Sequence, residues 1–216
     1  MNKYTGVLGI YNCQGAAWSS TERKNAFHET TSEALSGYVR GRDVHLIAEA
    51  VAEDPDWNGD CAAYCFRSGE LIVLPHNAAM PVSLSVLEHE IYTVTPIKVL
   101  APGFAFAPLG LINMYNAGGA IAGLRYETNG GARLAELENV LEGVAENKSS
   151  ELVGIVHMEV KGCGMFGAYS SAKPRRCVVD SHVVDFTYDS SCGLVTLSLD
   201  NLPEEGRMVH DVVVEL

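Results

Sequence analysis

The amino-acid sequence predicts an all-β fold, a sandwich of two antiparallel sheets, from three observations. Short apolar runs of period two recur between Gly, Pro, Asn and Asp punctuation. Alternating strand and helix units, the mark of a parallel α/β fold, do not appear. One segment alone, near 133–146, carries a helical pattern, with Leu134, Leu137, Val140, Leu141 and Val144 on one face and a series of glutamates mostly elsewhere. It reads as a short helical excursion from the sheets. No repeat or low-complexity linker divides residues 1–216, which read as a single domain. A TIM barrel needs about 250 residues and a helix after each of eight strands, and neither requirement is met.

The clearest strand is Ile155 to Lys161, where Val156, Met158 and Val160 alternate with His157, Glu159 and Lys161. Val184, Phe186 and Tyr188 alternate with Asp185 and Thr187, and Val195, Leu197 and Leu199 with Thr196 and Ser198. The intervening Asp189 to Gly193 is a turn, so this region is a hairpin. Further strands are expected near Gly6 to Cys13, Val44 to Ala50, Cys61 to Arg67, Glu70 to Leu74, Val82 to Val94 and Met208 to Leu216, with Ser68-Gly69 as a tight connection.

Composition narrows the function. A 47% hydrophobic, 19% charged chain belongs to an ordinary globular protein. A net charge of −12 repels a polyphosphate backbone, so no nucleic acid is expected as partner. The basic knot Lys173 to Arg176 suits a solvated turn at least as well as an anion site. No run approaches the roughly 20 apolar residues of a membrane helix, and the start has no apolar stretch of signal-peptide length, so no membrane partner is expected. Cys13, Cys61, Cys65, Cys163, Cys177 and Cys192 are unevenly scattered, which favours reduced thiols and a cytoplasmic location. The sequon at Asn147 is read as a chance match.

The candidates for chemistry have plain structural readings. Cys61 and Cys65 in one strand lie about 13 Å apart at about 3.3 Å per residue, too far for one zinc, so buried thiols and no metal site are expected. Gly162-Cys163-Gly164 could present a nucleophile, but a bulge or tight bend that needs glycine is favoured. Glu88 and Glu90 share a strand face, and Asp54, Asp56 and Asp60 surround Trp57-Asn58-Gly59. The first pair suits a solvated edge and the second group an acidic turn, so no catalytic residue is nominated and no cofactor is expected. Aromatic rings are the other route to carbohydrate, because a sugar's apolar face stacks on them. Asn12, Gln14, Trp18 and Trp57 are the candidates for sugar binding or interdomain contact, with Trp18 favoured for the interdomain role.

Several strings resemble the C-terminal part of the plant raffinose synthase family, which includes seed imbibition proteins and alkaline α-galactosidases. They include Asn2-Lys3-Tyr4-Thr5-Gly6-Val7, Tyr11-Asn12-Cys13-Gln14-Gly15-Ala16-Ala17-Trp18, Trp57-Asn58-Gly59-Asp60, Gly69-Glu70-Leu71-Ile72-Val73-Leu74-Pro75, Phe106-Ala107-Pro108-Leu109-Gly110-Leu111 and Met114-Tyr115-Asn116-Ala117-Gly118-Gly119-Ala120. Gly41-Arg42-Asp43-Val44 and the run from Val160 to Cys177 also match, and the seed imbibition branch is the nearest. The resemblance implies a melibiase-like enzyme with an N-terminal β region, a central (β/α)₈ barrel and a C-terminal antiparallel β domain. Such enzymes transfer or hydrolyse α-galactosyl groups by retaining chemistry on two barrel aspartates, acting on galactinol, sucrose and raffinose-type oligosaccharides. This chain has no positions matching either aspartate, because it begins at the strand that would follow the barrel. The resemblance therefore implies an accessory domain, inactive alone, whose partners are the catalytic barrel and galactosyl oligosaccharides. A plastid location for the parent enzyme stays open. The alternatives are a carbohydrate-binding module with a sugar surface near Trp18 or Trp57, and a truncated gene product without activity. The stretch Asn129 to Leu152 has no clear counterpart in the family.

Overall fold

The computed structural model describes residues 2–27, 34–45, 47, 49, 57–128, 154–200 and 208–216. In chain order the strands are β1 (Gly6–Tyr11), β2 (Ala16–Ser19), β3 (Lys24–Phe27), β4 (Leu35–Val39), β5 (Cys61–Cys65), β6 (Leu71–Leu74), β7 (Met80–Leu84), β8 (His89–Pro96) and β9 (Lys98–Ala101). They continue with β10 (Phe104–Leu111), β11 (Ile121–Thr128), β12 (Gly154–Lys161), β13 (Met165–Ser170), β14 (Arg176–Val179), β15 (His182–Val184), β16 (Thr187–Asp189), β17 (Leu194–Ser198) and β18 (Val209–Glu215). Gly41–Asp43 and Ala117–Ala120 form 3-10 turns.

The strands build a first sheet, β1-β8-β5-β6, a middle sheet, β16-β17-β13-β10-β9, and a third sheet, β11-β12-β18-β14-β15. Two ribbons, β2-β3 and β4-β7, complete the described part. Every strand pair is antiparallel, as the sequence predicts. The middle and third sheets form a sandwich. Phe106, Phe166, Val195 and Leu197 from one sheet meet Val156, Val160, Val179, Val212 and Val214 from the other, all buried. On its opposite face the middle sheet offers Ala107 and Leu109 to Ala62, Tyr64 and Leu71 of the first sheet. The first sheet is covered in turn, where Cys61, Ala63, Cys65 and Val94 pack under Val39, Val44, Ile47 and Met80.

The middle sheet therefore has apolar neighbours on both faces, and β10 is buried at six consecutive positions, Phe106 to Leu111. Its pairing with β13 slips between Pro108 and Gly110, where a strand must accommodate a proline that donates no hydrogen bond. Gly110 has φ +96, and a Cβ there would lie 2.1 Å from the Ala117 carbonyl oxygen. The glycine lets the Ala117–Ala120 turn sit directly on the strand.

Three strand expectations change. Around Val44–Ala50 the described residues turn rather than extend: the Val44 N–H bonds the Gly41 carbonyl and the Ile47 N–H bonds the Val44 carbonyl. Val44 and Ile47, three residues apart, thus enter the same cluster. The Val82–Val94 run breaks at Ser85–Glu88, where Leu87 adopts φ +62. The Glu88 carboxylate closes that turn by accepting the Ser85 N–H at 2.8 Å. The run from Val184 to Tyr188 also divides: β15 pairs with β14 in the third sheet, whereas β16 pairs with β17 in the middle sheet. The expected 133–146 helix, the stretch Asn129–Leu152, the sequon and Asp54 and Asp56 lie outside the described residues.

Candidate functional site

Asn12 directly follows β1 and is 3% exposed. Its Nδ2 donates to the Leu84 carbonyl at 2.9 Å, and its Oδ1 accepts the Gln14 N–H at 3.0 Å. Its own N–H donates to the Glu88 carbonyl, and its carbonyl accepts the Leu87 N–H, both at 2.9 Å. Asn12 thereby ties the end of β1 to the end of β7 and to the following turn. These bonds satisfy polar groups that burial would otherwise leave expensive.

The same Asn12 turn brings Gln14, which is exposed, next to it and launches the β2-β3 ribbon. Trp18 stands on that ribbon opposite Asn25 and is 63% exposed. Trp57 is placed differently. Its Nε1 donates to the Asp60 carbonyl at 3.0 Å, and its ring packs on the cluster beneath the first sheet. Asn12 and Gln14 are therefore in contact, Trp18 is presented to solvent on the next ribbon, and Trp57 packs half-buried against the core at the entry to β5.

Beside Asn12 lies a mostly apolar groove of about 280 Å³ between β1 and the β4-β7 ribbon. Leu8, Ile10 and Val82 form its base, and Leu35 and Tyr38, 51% and 67% exposed, stand at its rim. Tyr11, also 62% exposed, stacks on His89 with centroids 5.6 Å apart. Leu35 and Tyr38 were not singled out by the sequence, although a strand assignment over Leu35–Val39 would have shown two large apolar side chains on a short exposed ribbon.

The other candidate groups have structural partners. The Glu88 carboxylate also accepts Arg67 at 2.6 Å, and its pKa is held low by the Ser85 backbone hydrogen bond and by Arg67. Glu90 is buried and accepts the N–H groups of Ile91 and Arg67 at 2.9 and 3.3 Å. The Asp60 carboxylate accepts the His76 N–H at 3.1 Å and Asn58 Nδ2 at 2.8 Å. Gly59 takes φ +89, and a Cβ there would also meet the His76 ring at 2.1 Å, so the position is built for glycine on both counts. The string Trp57 to Asp60 is thus a locked turn at the start of β5. Cys61 and Cys65 are free, buried thiols, and burial pushes Cys61 up to about 12 with Asp60 adding to the shift. Gly162 and Gly164 take φ +86 and +124 around an exposed Cys163, the tight bend between β12 and β13. In the basic knot, Arg176 forks onto the Glu215 carboxylate.

Two of the sequence strings also meet in space. Asn2 Nδ2 donates to Asn116 Oδ1, and a Cβ on Gly118 would fall 1.6 Å from Thr5 Oγ1. The segment 2–5 therefore lies against the Asn116–Ala120 turn, which ties the start of the first sheet to the middle sheet. Deeper in the third sheet, His210 Nδ1 and Asp180 Oδ2 pair at 2.7 Å, and Asp180 Oδ1 accepts the Asp211 N–H at 2.9 Å.

Comparison with known proteins gives these strings a family. The model for raffinose synthase or seed imbibition protein Sip1 matches residues 1–199. A probable galactinol–sucrose galactosyltransferase 6 of Arabidopsis thaliana is 56% identical over 216 residues, covering all of this chain and 26% of the relative. A galactinol–sucrose galactosyltransferase of Pisum sativum is 30% identical over 190 residues, 88% of this chain and 21% of the relative. A stachyose synthase of Pisum sativum is 28% identical over 189 residues, 87% of this chain and 19% of the relative. The chain spans about a quarter or less of the length of these relatives. The strings singled out in the sequence fall within the matched residues: the chain belongs to the raffinose synthase and seed imbibition protein family.

Proposed function

We propose that this chain is an accessory β domain of an α-galactosyl-processing enzyme of raffinose-family oligosaccharide metabolism, a galactinol–sucrose galactosyltransferase or an α-galactosidase, working in the cytoplasm. The observation that carries the reading is the use made of its acidic groups. Glu88, Glu90, Asp60 and Asp180 accept hydrogen bonds that close turns or fix strands, whereas glycoside chemistry needs two carboxyl groups facing a substrate about 5 to 9.5 Å apart. Membership in a family whose matched relatives are about four times longer points the same way. The catalytic part of such an enzyme, read by family resemblance as a barrel, is the partner, and galactosyl oligosaccharides are its substrates. Incubating the purified chain with p-nitrophenyl α-galactoside tests the claim: no galactose release is expected, and turnover would refute it.

A second reading has one observation in its favour. Trp18 presents its ring to solvent on the β2-β3 ribbon, an exposed aromatic surface of the kind that stacks on the apolar face of a sugar. Tryptophan fluorescence titrated with galactose and raffinose tests it. A saturable change lost in Trp18→Ala would establish a sugar surface, and a flat response would leave Trp18 an interface role.

A further inference from the structure

The groove between β1 and the β4-β7 ribbon owes its existence to a missing side chain. Leu35, Gly37 and Val39 lie on one face of β4, because strand residues alternate, and they pair with Leu84, Val82 and Met80 of β7. Val39, Leu84 and Met80 are buried in or beside the cluster under the first sheet, so this is the inward face of the ribbon. Gly37 occupies the middle position, and a Cβ built on it would have no heavy atom within 4 Å. Its φ is outside the left-handed region, so no backbone conformation requires glycine there. Gly37 is itself exposed, so this position opens to solvent as a slot lined by Leu8, Ile10 and Val82.

The slot is bordered by two strand edges. Among the described residues β1 hydrogen-bonds only to β8 and β4 only to β7, so each leaves a row of main-chain donors and acceptors facing away from its partner. Soluble domains protect such edges with charge, proline or a covering element, whereas here the neighbouring rim residues Leu35 and Tyr38 are large and more than half exposed. Open main-chain edges beside an apolar slot are what an extended segment uses when it adds to a sheet and seats alternate side chains in pockets.

We infer that this groove takes an extended apolar segment from the part of the enzyme polypeptide that lies outside the matched quarter, with one aliphatic or aromatic side chain filling the space over Gly37. The inference rests on the reading of the chain as one domain of a larger enzyme. Three features select this occupant. The matched relatives carry the equivalent of this chain in 26% of their length or less, so most of each polypeptide is available to supply the segment. Leu8, Ile10, Val82 and Leu84 line the groove beside the few polar groups of Asn12, Ser36 and Asp43, a surface better matched to an apolar side chain than to an oligosaccharide's many hydroxyls. A second copy would bring the same net charge of −12 to the contact.

The test places the 216 residues in the Arabidopsis thaliana relative in exchange for the matching segment, and compares this chimera with the separate chain by hydrogen exchange. Amides of β1 and β4 that face away from β8 and β7 should exchange at least about tenfold more slowly in the chimera. Gly37→Leu, whose Cβ would have no heavy atom within 4 Å and whose larger side chain would occupy the slot, should abolish that protection while leaving the separate chain's own exchange pattern unchanged. Equal exchange in the chimera and the separate chain would overturn the inference, and so would a Gly37→Leu chimera that keeps full protection. Sedimentation of the separate chain supplies a further outcome: a dimer that Gly37→Leu converts to monomer would assign the groove to a second copy and refute the occupant inferred here. These results are distinguishable from failure of the accessory-domain reading, which would appear as galactoside turnover by the separate chain. If the chimera does not fold, a titration of wild-type and Gly37→Leu chains against the separately produced remainder of the same relative reads the contact. At least about tenfold weaker binding of the variant is expected, and equal binding, or none by the wild type, refutes it.

Discussion

The two halves of the molecule finish their packing in different ways. In the sandwich of middle and third sheets, valines, leucines and phenylalanines from both sheets meet with no exposure at Phe106, Val156, Val160, Val179 or Val214. The first sheet reaches the same degree of burial only on the face turned to the middle sheet and over the centre of its other face. Toward β1 it ends in a slot, an edge unpaired among the described residues, and the exposed rings of Tyr11 and Tyr38. A sheet enclosed on both faces is complete by itself. A sheet that stops at a glycine-lined groove has surface left for something else to cover.

The largest effect should come from the closed half. Phe106→Ala removes a fully buried ring from the sandwich and should cost about 3–5 kcal/mol in urea unfolding. A cost below about 1 kcal/mol would mean that the sandwich is not the stabilising core. Next is the clasp between the halves. Gly118→Ala drives a methyl into Thr5 and should cost about 1–3 kcal/mol, and Thr5→Gly in the same chain should recover much of the loss. Additive costs would show that the two strings do not touch.

Each half also contains a buried thiol whose titration has a defined sign. Burial first, and then Asp60 for Cys61 or Glu215 for Cys177, raises each from 9.0 to about 12. Below pH 9 both folded and unfolded states keep these protons, so the thiols leave stability unchanged. Above it the unfolded chain loses protons that the folded chain retains, and stability falls toward about 1.4 kcal/mol per pH unit for each thiol. Urea midpoints between about pH 9 and 10 should decline less steeply in Cys177→Ala than in wild type, and an unchanged slope would contradict the burial. The smallest effect belongs to the open half, where Tyr38→Ser in the separate chain should change stability by no more than about 0.5 kcal/mol.

How far the sequence reveals the fold depends on how many faces of a strand are buried. β12 was legible because Val156, Met158 and Val160 are buried while Glu159 and Lys161 are exposed, so water and core impose a period of two. β10 was not, since a strand enclosed on both faces reads Phe-Ala-Phe-Ala-Pro-Leu-Gly-Leu with no polar alternation and a proline besides. The break at Ser85–Glu88 carried no Gly or Pro, and its left-handed residue is Leu87. Besides the local Ser85–Glu88 bonds, it is held by Asn12, more than seventy positions upstream, which no local signal reports. For the same reason Asn12 and Trp57 stood out as residues without disclosing that their polar atoms complete the fold, and Gly37 did not stand out at all. An absent side chain acquires meaning only beside the neighbours it fails to touch.

The most direct test of the central claim is complementation. A version of the Arabidopsis thaliana relative lacking the segment that matches this chain is assayed for galactosyl transfer from galactinol to sucrose, with and without the separate 216-residue chain. No transfer by either piece alone, and transfer when they are combined, is expected. Transfer by the 216-residue chain alone, or by the shortened relative at its full rate, would contradict the claim.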